Sequence, residues 1–192
     1  MKYLLLSAAL LCLLLHHPAQ AQSADEQAAQ KAWMEYMTPG PMHQMLAKAD
    51  GDWTYEMTSW MSPTAPPTKS TGNSTNRMIL GGRYQESKIT GTVMDMPFEG
   101  LGNMGYDNAK KVFVSSWVDN MGTGIAYMEG KWDDATKSIH FTGKMLDPMT
   151  GKDCEVKQNV YMVDENTQKM EMFTVTDGKD VKTMELTMKR KQ

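Results

Sequence analysis

The distribution of apolar residues divides the chain into three parts. An uninterrupted apolar run occupies Leu4 to Leu15, a helical spacing follows it, and from Gly51 onward apolar and polar residues alternate. A period of two is typical of β-strands with one buried face, whereas spacings of three and four residues are typical of amphipathic helices. The sequence therefore predicts a leader, a short helical segment and a β-sheet domain.

Residues 1–21 have the features of a secretory signal peptide. Lys2 gives a positive start, the apolar run follows, and Ala19 and Ala21 have the small-residue spacing of a cleavage site. The run is too short to cross a bilayer, and no other segment approaches its length. We predict cleavage after Ala21 and a periplasmic or secreted protein without an integral membrane segment. A lipoprotein attached through Cys12 is the lesser alternative.

Residues 22–50 are predicted to form two short amphipathic helices. Ala29, Trp33 and Met37 recur at i, i+4 and i+8, and a second apolar spacing follows Pro41. Proline fits the first turn of a helix because its missing N–H would have no partner there. These helices need an apolar surface to cover.

Residues 51–192 are predicted to form a single all-β domain of about nine or ten strands. Segments of about ten residues alternate with turn sequences, and nearly all connections are short enough for hairpins. An up-and-down antiparallel sheet of this size closes into a barrel, because closure removes the exposed edges. The one long connection, Met61 to Gly72, is rich in proline and small polar residues.

The strand at residues 111–119 is apolar on both faces, because valines alternate with aromatic and polar side chains. We favour an arrangement in which Phe113, Trp117 and Asp119 face the interior while the valines lie under an N-terminal helix; the reverse is the alternative. Asp119 is then a polar anchor in the cavity or a partner of Arg83, or else it caps the following turn.

The sequence carries few signatures of chemistry. It contains no GxSxG elbow, HExxH, phosphate loop or CxxC. Most aspartates lie in turns, where a short side chain bonds its own backbone; they are Asp107, Asp133, Asp134, Asp147, Asp164 and Asp177. A dyad of a histidine with Cys154 is a weak alternative. We predict no catalytic residue, cofactor or metal, although lone carboxylates or tyrosines leave an enzyme open.

The charge balance argues against nucleic acid as a partner. The formal net charge is −3, and the only basic cluster is at residues 188–191. Cys154 is the only cysteine outside the leader, so an internal disulfide cannot form even in an oxidising compartment.

A short motif at the start of the β domain and an arginine near its end resemble features of the lipocalin and wider calycin barrels. The sequence Gly51-Asp52-Trp53 opens the first strand, and Arg190 lies near the end of the last. In those barrels the tryptophan of a GxW motif closes the narrow end and an arginine of the last strand packs over it. The resemblance implies that Trp53 and Arg190 close the barrel.

A larger part of the chain resembles the uncharacterised bacterial family catalogued as domain of unknown function 1579. The similarity runs from about Gly51 to Lys191, and its blocks are "GGR" at 81–83, "PFEGLGNMGYDN" at 97–108, "FVSSWVDNMGTG" at 113–124 and "DPMTG" at 147–151. The resemblance implies a bacterial envelope or secreted protein with a calycin-like barrel. It brings no catalytic residues.

Methionine is unusually abundant, at 20 of 192 residues. Alternation places many of these side chains on the inner face of the later strands. They could be plain core filler, an adaptable lining for an apolar ligand, or soft ligands for Cu(I) and a sink for oxidants.

We predict a non-enzymatic barrel that binds a small apolar or amphipathic molecule and admits it at the end carrying the Met61 to Gly72 loop. The alternatives are methionine-based Cu(I) binding or oxidant buffering, and a structural envelope module with a filled interior. The predicted ligand-binding residues are Arg83, Phe113, Trp117, Asp119, Phe141, Met162 and Met172. The pattern does not determine the oligomeric state.

Overall fold

Ten antiparallel strands form a closed wall in which each strand pairs with its neighbours in the chain and the last pairs with the first. The computed structural model describes residues 23–62, 64–148 and 150–192, so the predicted signal peptide lies outside the described residues. The helices are α1 (Ala24–Met37) and α2 (Pro41–Ala47). The strands are β1 (Gly51–Ser59), β2 (Thr68–Ile79), β3 (Tyr84–Val93), β4 (Met96–Asp107), β5 (Val112–Asp119), β6 (Ala126–Asp133), β7 (Ser138–Asp147), β8 (Lys152–Asp164), β9 (Thr167–Thr176) and β10 (Lys179–Arg190). The predicted all-β, up-and-down barrel is confirmed.

The two ends of the barrel follow from the hairpin order. We call the end at which β1 begins, beside Trp53 and Arg190, the closed end, and the opposite end, which carries the β1–β2 connection at 60–67, the far end. The predicted long loop is shorter than expected, because β2 begins at Thr68 and residues 68–72 pair with β1.

The pairing register determines which side chains face inward. Leu186 of β10 lies opposite Met170 of β9, which lies opposite Val160 of β8, which lies opposite Ile139 of β7. These positions share one face because side chains alternate along each strand. A buried cluster, here called the floor, fills the part of the interior toward the closed end; it contains Leu46, Phe113, Met128, Ile139, Phe141, Val156 and Val160.

Helix α2 plugs the closed end. Leu46 has no exposed surface and belongs to the floor. The backbone oxygen of Leu46 accepts a hydrogen bond of 2.6 Å from Gln85 Nε2, and that of Ala49 accepts one of 3.0 Å from Trp53 Nε1. These bonds fix the end of α2 and the residues that follow it to β3 and β1.

Helix α1 does not cover the wall as predicted. It buries none of its residues, Trp33 is 61% exposed, and Val118 on β5 remains exposed. The helix is held at its C-terminal end, where Asn108 Nδ2 donates to the backbone oxygens of Glu35, Tyr36 and Thr38. Because this tether lies at the β4–β5 turn, only that end of α1 approaches the barrel.

The turn aspartates behave largely as predicted. Asp107 Oδ1 accepts the backbone N–H of Ala109 at 2.8 Å, and Asp164 Oδ1 accepts that of Asn166 at 2.7 Å. Neither described helix has the length and apolar character that crossing a bilayer requires.

Candidate functional site

The interior toward the far end differs from the floor in the accessibility of its side chains. Inward residues in this region stay partly accessible although the wall around them is closed; they include Met57, Trp117, Gln158, Met172 and Met184. An inward side chain that a water-sized sphere can reach borders open space, whereas Phe113 and Phe141 in the floor are each 1% exposed. The barrel therefore combines a packed floor with an accessible chamber, and we call this far-end half of the interior the chamber.

Trp117 lies flat against the wall of the chamber because β4 carries glycine beside it. A Cβ atom on Gly100 would lie 2.3 Å from Trp117 Cζ2, and one on Gly102 would lie 3.2 Å from its Cε3. Phe98, two residues before Gly100 on the same face of β4, is stacked with the indole, with ring centroids 6.4 Å apart and planes at 21°. Glycine at both positions thus lets an aromatic wall form without filling the chamber.

Tyr55 likewise lies against glycines on the neighbouring strands β2 and β3. A Cβ atom on Gly72 would lie 2.6 Å from the Tyr55 hydroxyl, and one on Gly91 would lie 2.3 Å from it. The tyrosine is 3% exposed, and burial raises the pKa of its hydroxyl. This hydroxyl has no hydrogen-bond partner among the described residues.

Two further inward polar atoms, Ser70 Oγ and Gln158 Oε1, are also buried without a partner in the described part of the chain. A buried polar group without a partner costs about 1–3 kcal/mol. Together with the Tyr55 hydroxyl, they give the interior three unused hydrogen-bonding groups.

Asp119 faces the chamber at the far end and also caps the following turn. Its Oδ2 accepts Trp117 Nε1–H at 2.7 Å, and its Oδ1 accepts the backbone N–H of Met121 at 2.9 Å. The carboxylate therefore fixes the orientation of the indole. Each of its oxygens keeps a lone pair that these two bonds do not use.

The predicted pairing of Asp119 with Arg83 is wrong. Arg83 Nη1 donates to the backbone oxygen of Leu80, in a turn at the closed end. Tyr84 lies opposite Gly105 on β4, whereas Asp119 lies opposite Gly100. Five residues of strand separate these positions by about 16 Å. Successive hairpins send the two side chains to opposite ends of the barrel, and Arg83 lies outside the chamber.

The other predicted ligand-binding residues divide between the floor and its edge. Phe113 and Phe141 belong to the packed floor, so a ligand in the chamber does not reach them without displacing side chains. Met162 and Met172 are partly buried and pack against the floor. Of these four residues, the two methionines keep accessible surface.

A ring of exposed apolar side chains at the far end was not predicted. These residues come from the β1–β2, β3–β4 and β5–β6 connections and from the end regions of β4 and β7; they are Met61, Met94, Met96, Met121, Ile125 and Leu146. We call them the apolar rim. Turns normally carry polar residues, so apolar residues in the turn sequences are the signal that would have revealed it.

A hydrogen-bonded serine, histidine and asparagine lie on the outer surface, and sequence analysis missed them. Ser138 Oγ is 2.9 Å from His140 Nε2, and His140 Nδ1 is 2.8 Å from Asn159 Oδ1. This order matches a nucleophile, a base and an orienting group. However, Ser138 has no exposed surface and its hydroxyl also contacts Thr136, so a substrate cannot reach it. We interpret the group as structural.

Cys154 cannot join that group because it faces the other side of the wall. It lies on the inner face of β8, and its Sγ donates to the backbone oxygen of Met145. His140 faces outward, so the dyad weighed from the sequence does not form with this histidine.

A groove of about 650 Å³ lies over β8, β9 and β10 near that outer group. Three of its polar side chains, Tyr161, Glu171 and Glu185, already bond one another or Lys182. Tyr161 donates to Glu171 Oε2 at 3.0 Å, and Lys182 Nζ lies 2.5 Å from Glu171 Oε1. These bonds lower the pKa of Glu171, with the Lys182 ammonium as the main cause. Because these side chains already bond one another, the groove offers a ligand few unused hydrogen-bonding groups.

In the described ranges, no group of three or more His, Cys, Asp or Glu side chains could hold a metal ion. Several methionines pack against the floor, namely Met42, Met45, Met78, Met104, Met145, Met162, Met170 and Met172. Packing accounts for this set without a metal, and Cu(I) binding through thioethers stays a prediction.

Known structures share the barrel. The crystal structure of Rv2717c from M. tuberculosis superposes with a TM-score of 0.60 at 12% identity, covering 81% of this chain and all of the other. The S-type phycobiliprotein lyase CPES from Guillardia theta superposes with a TM-score of 0.55 at 8% identity, covering 83% of this chain and 97% of the other. At these identities the likeness concerns the fold alone.

Comparison with curated proteins finds no significant match. In contrast, residues 38–190 match the model of a protein family of unknown function, DUF1579. That match includes α2, the plugged end and all ten strands. The chain belongs to the DUF1579 family.

Proposed function

We propose that this protein is a periplasmic or secreted binding protein that holds a small apolar or amphipathic molecule in the chamber without catalysing its conversion. The observation that carries the proposal is the partial accessibility of inward side chains within a closed wall. Barrels of eight or more strands have room for one small ligand when side chains do not fill them.

The chemistry of the chamber supports a mainly apolar ligand. Thioethers of Met57, Met172 and Met184 lie across from the aromatic wall of Trp117 and Phe98 in the strand order. Methionine adapts its shape to a ligand because it is unbranched and has three rotatable bonds. A few polar groups among apolar side chains are typical of small-molecule sites.

The apolar rim supports entry at the far end. Met61 is 81% exposed and Ile125 is 75% exposed, although both are large apolar residues. All six rim residues lie at the same end of the barrel, and exposed apolar surface of this kind is found at interaction sites. A ligand would therefore meet apolar surface before it enters the chamber, while α2 plugs the other end.

Titration with the neutral fluorescent dye N-phenyl-1-naphthylamine tests the proposal. Burial of roughly 200–300 Å² of apolar surface contributes about 5–8 kcal/mol before the cost of association is deducted, so we expect micromolar affinity. The Met184→Trp variant fills the chamber and should abolish saturable binding. The matched Met34→Trp variant on α1, where Met34 is exposed, should bind as the wild type does.

Native mass spectrometry of the protein purified from its own source gives an independent test. We expect a retained mass that organic solvent removes. If no dye, isoprenoid or fatty acid gives a saturable signal and no mass is retained, the chamber is not a binding site and the structural module takes its place.

A further inference from the structure

The geometry points to a head-group site for a cationic amine at the far end of the chamber, formed by Asp119, Trp117 and Phe98. The inference rests on the proposed function and specifies its ligand class. The ligand is an amphiphile whose apolar body lies in the chamber and whose ammonium group lies beside the Asp119 carboxylate. A carboxylate head group of the same size is disfavoured there.

No arginine on the inward face of the described strands is free to bind an anionic ligand. Arg190 is the only inward arginine on the described strands, and it is committed at the closed end. Its Nη2 donates to the backbone oxygen of Lys48 at 2.7 Å, its Nε donates to that of Glu165 at 3.0 Å, and its Nη1 donates to that of Asp50. The floor lies between this guanidinium and the chamber.

Two lysines approach the interior, but both lie at the rim. Lys152 begins β8 opposite Asp147, and Lys179 begins β10 opposite Thr176. Both side chains are exposed, and an aspartate faces the first of them. Neither lysine supplies a desolvated positive charge inside the chamber.

Asp119 and Trp117 present a negative charge and an aromatic ring on the same side. They are two residues apart on β5, so their side chains share the inner face of the strand. The bond of 2.7 Å from Trp117 Nε1 to Asp119 Oδ2 holds the indole edge at the carboxylate. Gly100 and Gly102 occupy one face of the indole, which leaves the other face and Phe98 toward the interior.

A cation beside these groups gains two attractions. The ring face attracts it through the aromatic quadrupole, and the carboxylate attracts it through a charge-assisted contact. Glu99, next to Gly100 on β4, lies on the outer face of the same wall, where solvent screens its charge. The Asp119 carboxylate repels an anionic head group.

Three ligands with one twelve-carbon chain test the inference: dodecyltrimethylammonium, dodecanol and dodecanoate. Each competes with N-phenyl-1-naphthylamine at low salt and below its micelle concentration. We expect dodecyltrimethylammonium to bind about tenfold more tightly than dodecanoate. The Asp119→Asn variant keeps an acceptor for Trp117 but loses the charge. It should weaken dodecyltrimethylammonium about tenfold and leave dodecanol unchanged.

The matched control is Glu99→Gln, which removes the same charge from the outer face of the wall. We expect it to change the affinity for the ammonium ligand less than about twofold, because solvent screens an exposed charge. Equal or tighter binding of dodecanoate, or an equal effect of both variants, overturns the head-group site while dodecanol binding leaves the proposed function standing. If none of the ligands nor the dye binds, both proposals fail.

Discussion

Arg190 lies over the indole ring of Trp53, with its guanidinium carbon 4.3 Å from the ring centroid. The two residues face each other across the seam between β1 and β10. Trp53 has no exposed surface, and its Nε1 donates to the backbone oxygen of Ala49, which follows the plug helix α2. The first strand, the last strand and the N-terminal plug therefore meet at one side chain.

Truncation of this tryptophan should destabilise the barrel strongly. We expect Trp53→Ala to lower the free energy of unfolding by about 3–5 kcal/mol, the usual cost of removing a buried aromatic side chain. Chemical denaturation measures it. The control Trp33→Ala removes the same side chain from an exposed position on α1 and should change stability by less than about 0.5 kcal/mol. A near-zero effect at Trp53 would show that the closed end does not depend on it.

A methyl group on Gly100 should displace Trp117 into the chamber. The added Cβ would lie 2.3 Å from the indole, so the ring must leave the wall. We expect Gly100→Ala to weaken N-phenyl-1-naphthylamine binding about tenfold or more and to shift the tryptophan emission. Gly124→Ala, at a position with open space around it, should leave both unchanged. Unaltered dye binding in Gly100→Ala would place the dye elsewhere.

Removal of the Tyr55 hydroxyl should not cost stability. This group is buried without a partner among the described residues, so Tyr55→Phe should raise the free energy of unfolding by up to about 1 kcal/mol. The control Tyr127→Phe removes an exposed hydroxyl that donates to Glu129 and should have a small effect. A loss of stability in Tyr55→Phe would reveal a bound water or ligand at this hydroxyl.

The same residue should make the protein sensitive to alkali. Burial raises the pKa of Tyr55 in the folded state above its ordinary value near 10. The unfolded chain therefore loses this proton first, and stability falls as the pH rises above about 10. The Tyr55→Phe variant should lose less stability than the wild type in this range, measured by denaturation at each pH.

Acid should weaken the plug through His43. Burial lowers the pKa of His43, and the nearby Arg83 charge adds to the effect. Its Nδ1 accepts the backbone N–H of Gly40 at 3.0 Å, and protonation would replace this acceptor with a donor. Because the unfolded chain binds the proton first, stability should fall as the pH drops below about 6.5.

The variant His43→Gln isolates this contribution. Glutamine at the third helical position can accept the same N–H and does not titrate. We expect a flatter stability profile between pH 8 and 5 in His43→Gln than in the wild type or in the surface control His140→Gln. Identical profiles in all three proteins would remove His43 as the sensitive group.

The secreted form should begin at Gln22. The predicted cleavage after Ala21 gives this residue as the first of the mature chain, and intact mass spectrometry of protein from the envelope or the medium measures it. A mature form that retains Cys12 with an attached lipid would instead show an anchored protein.

The sequence predicted the fold because the information for it is local. Alternation and turn residues are properties of neighbouring positions, and they were sufficient for ten antiparallel strands in one closed sheet. The position of Asp119 relative to Arg83 depends instead on the end of the barrel at which each turn lies. Counting the hairpins between Arg83 and Asp119 would have placed the two residues at opposite ends of the barrel. Their opposite charges suggested a pairing instead.

Other features of the chamber depend on contacts between distant strands. Tyr55 packs over Gly72 and Gly91 only in one pairing register, which the residues of a single strand do not specify. Helical spacing predicted α2 but not its place as a plug, because that place depends on acceptors for Trp53 and Gln85. The apolar rim was missed since turns carry no periodic signal.

The seam between β1 and β10 also determines when the protein can fold. Thr54 and Lys189 are bonded across it although 135 residues separate them in the sequence. Until the last strand has emerged from the ribosome, β1 and β9 each keep an unpaired edge that can join another chain. Closure through such distant pairing is slow. The twelve residues of β10 are therefore the last part of the barrel to be synthesised and the part that closes it.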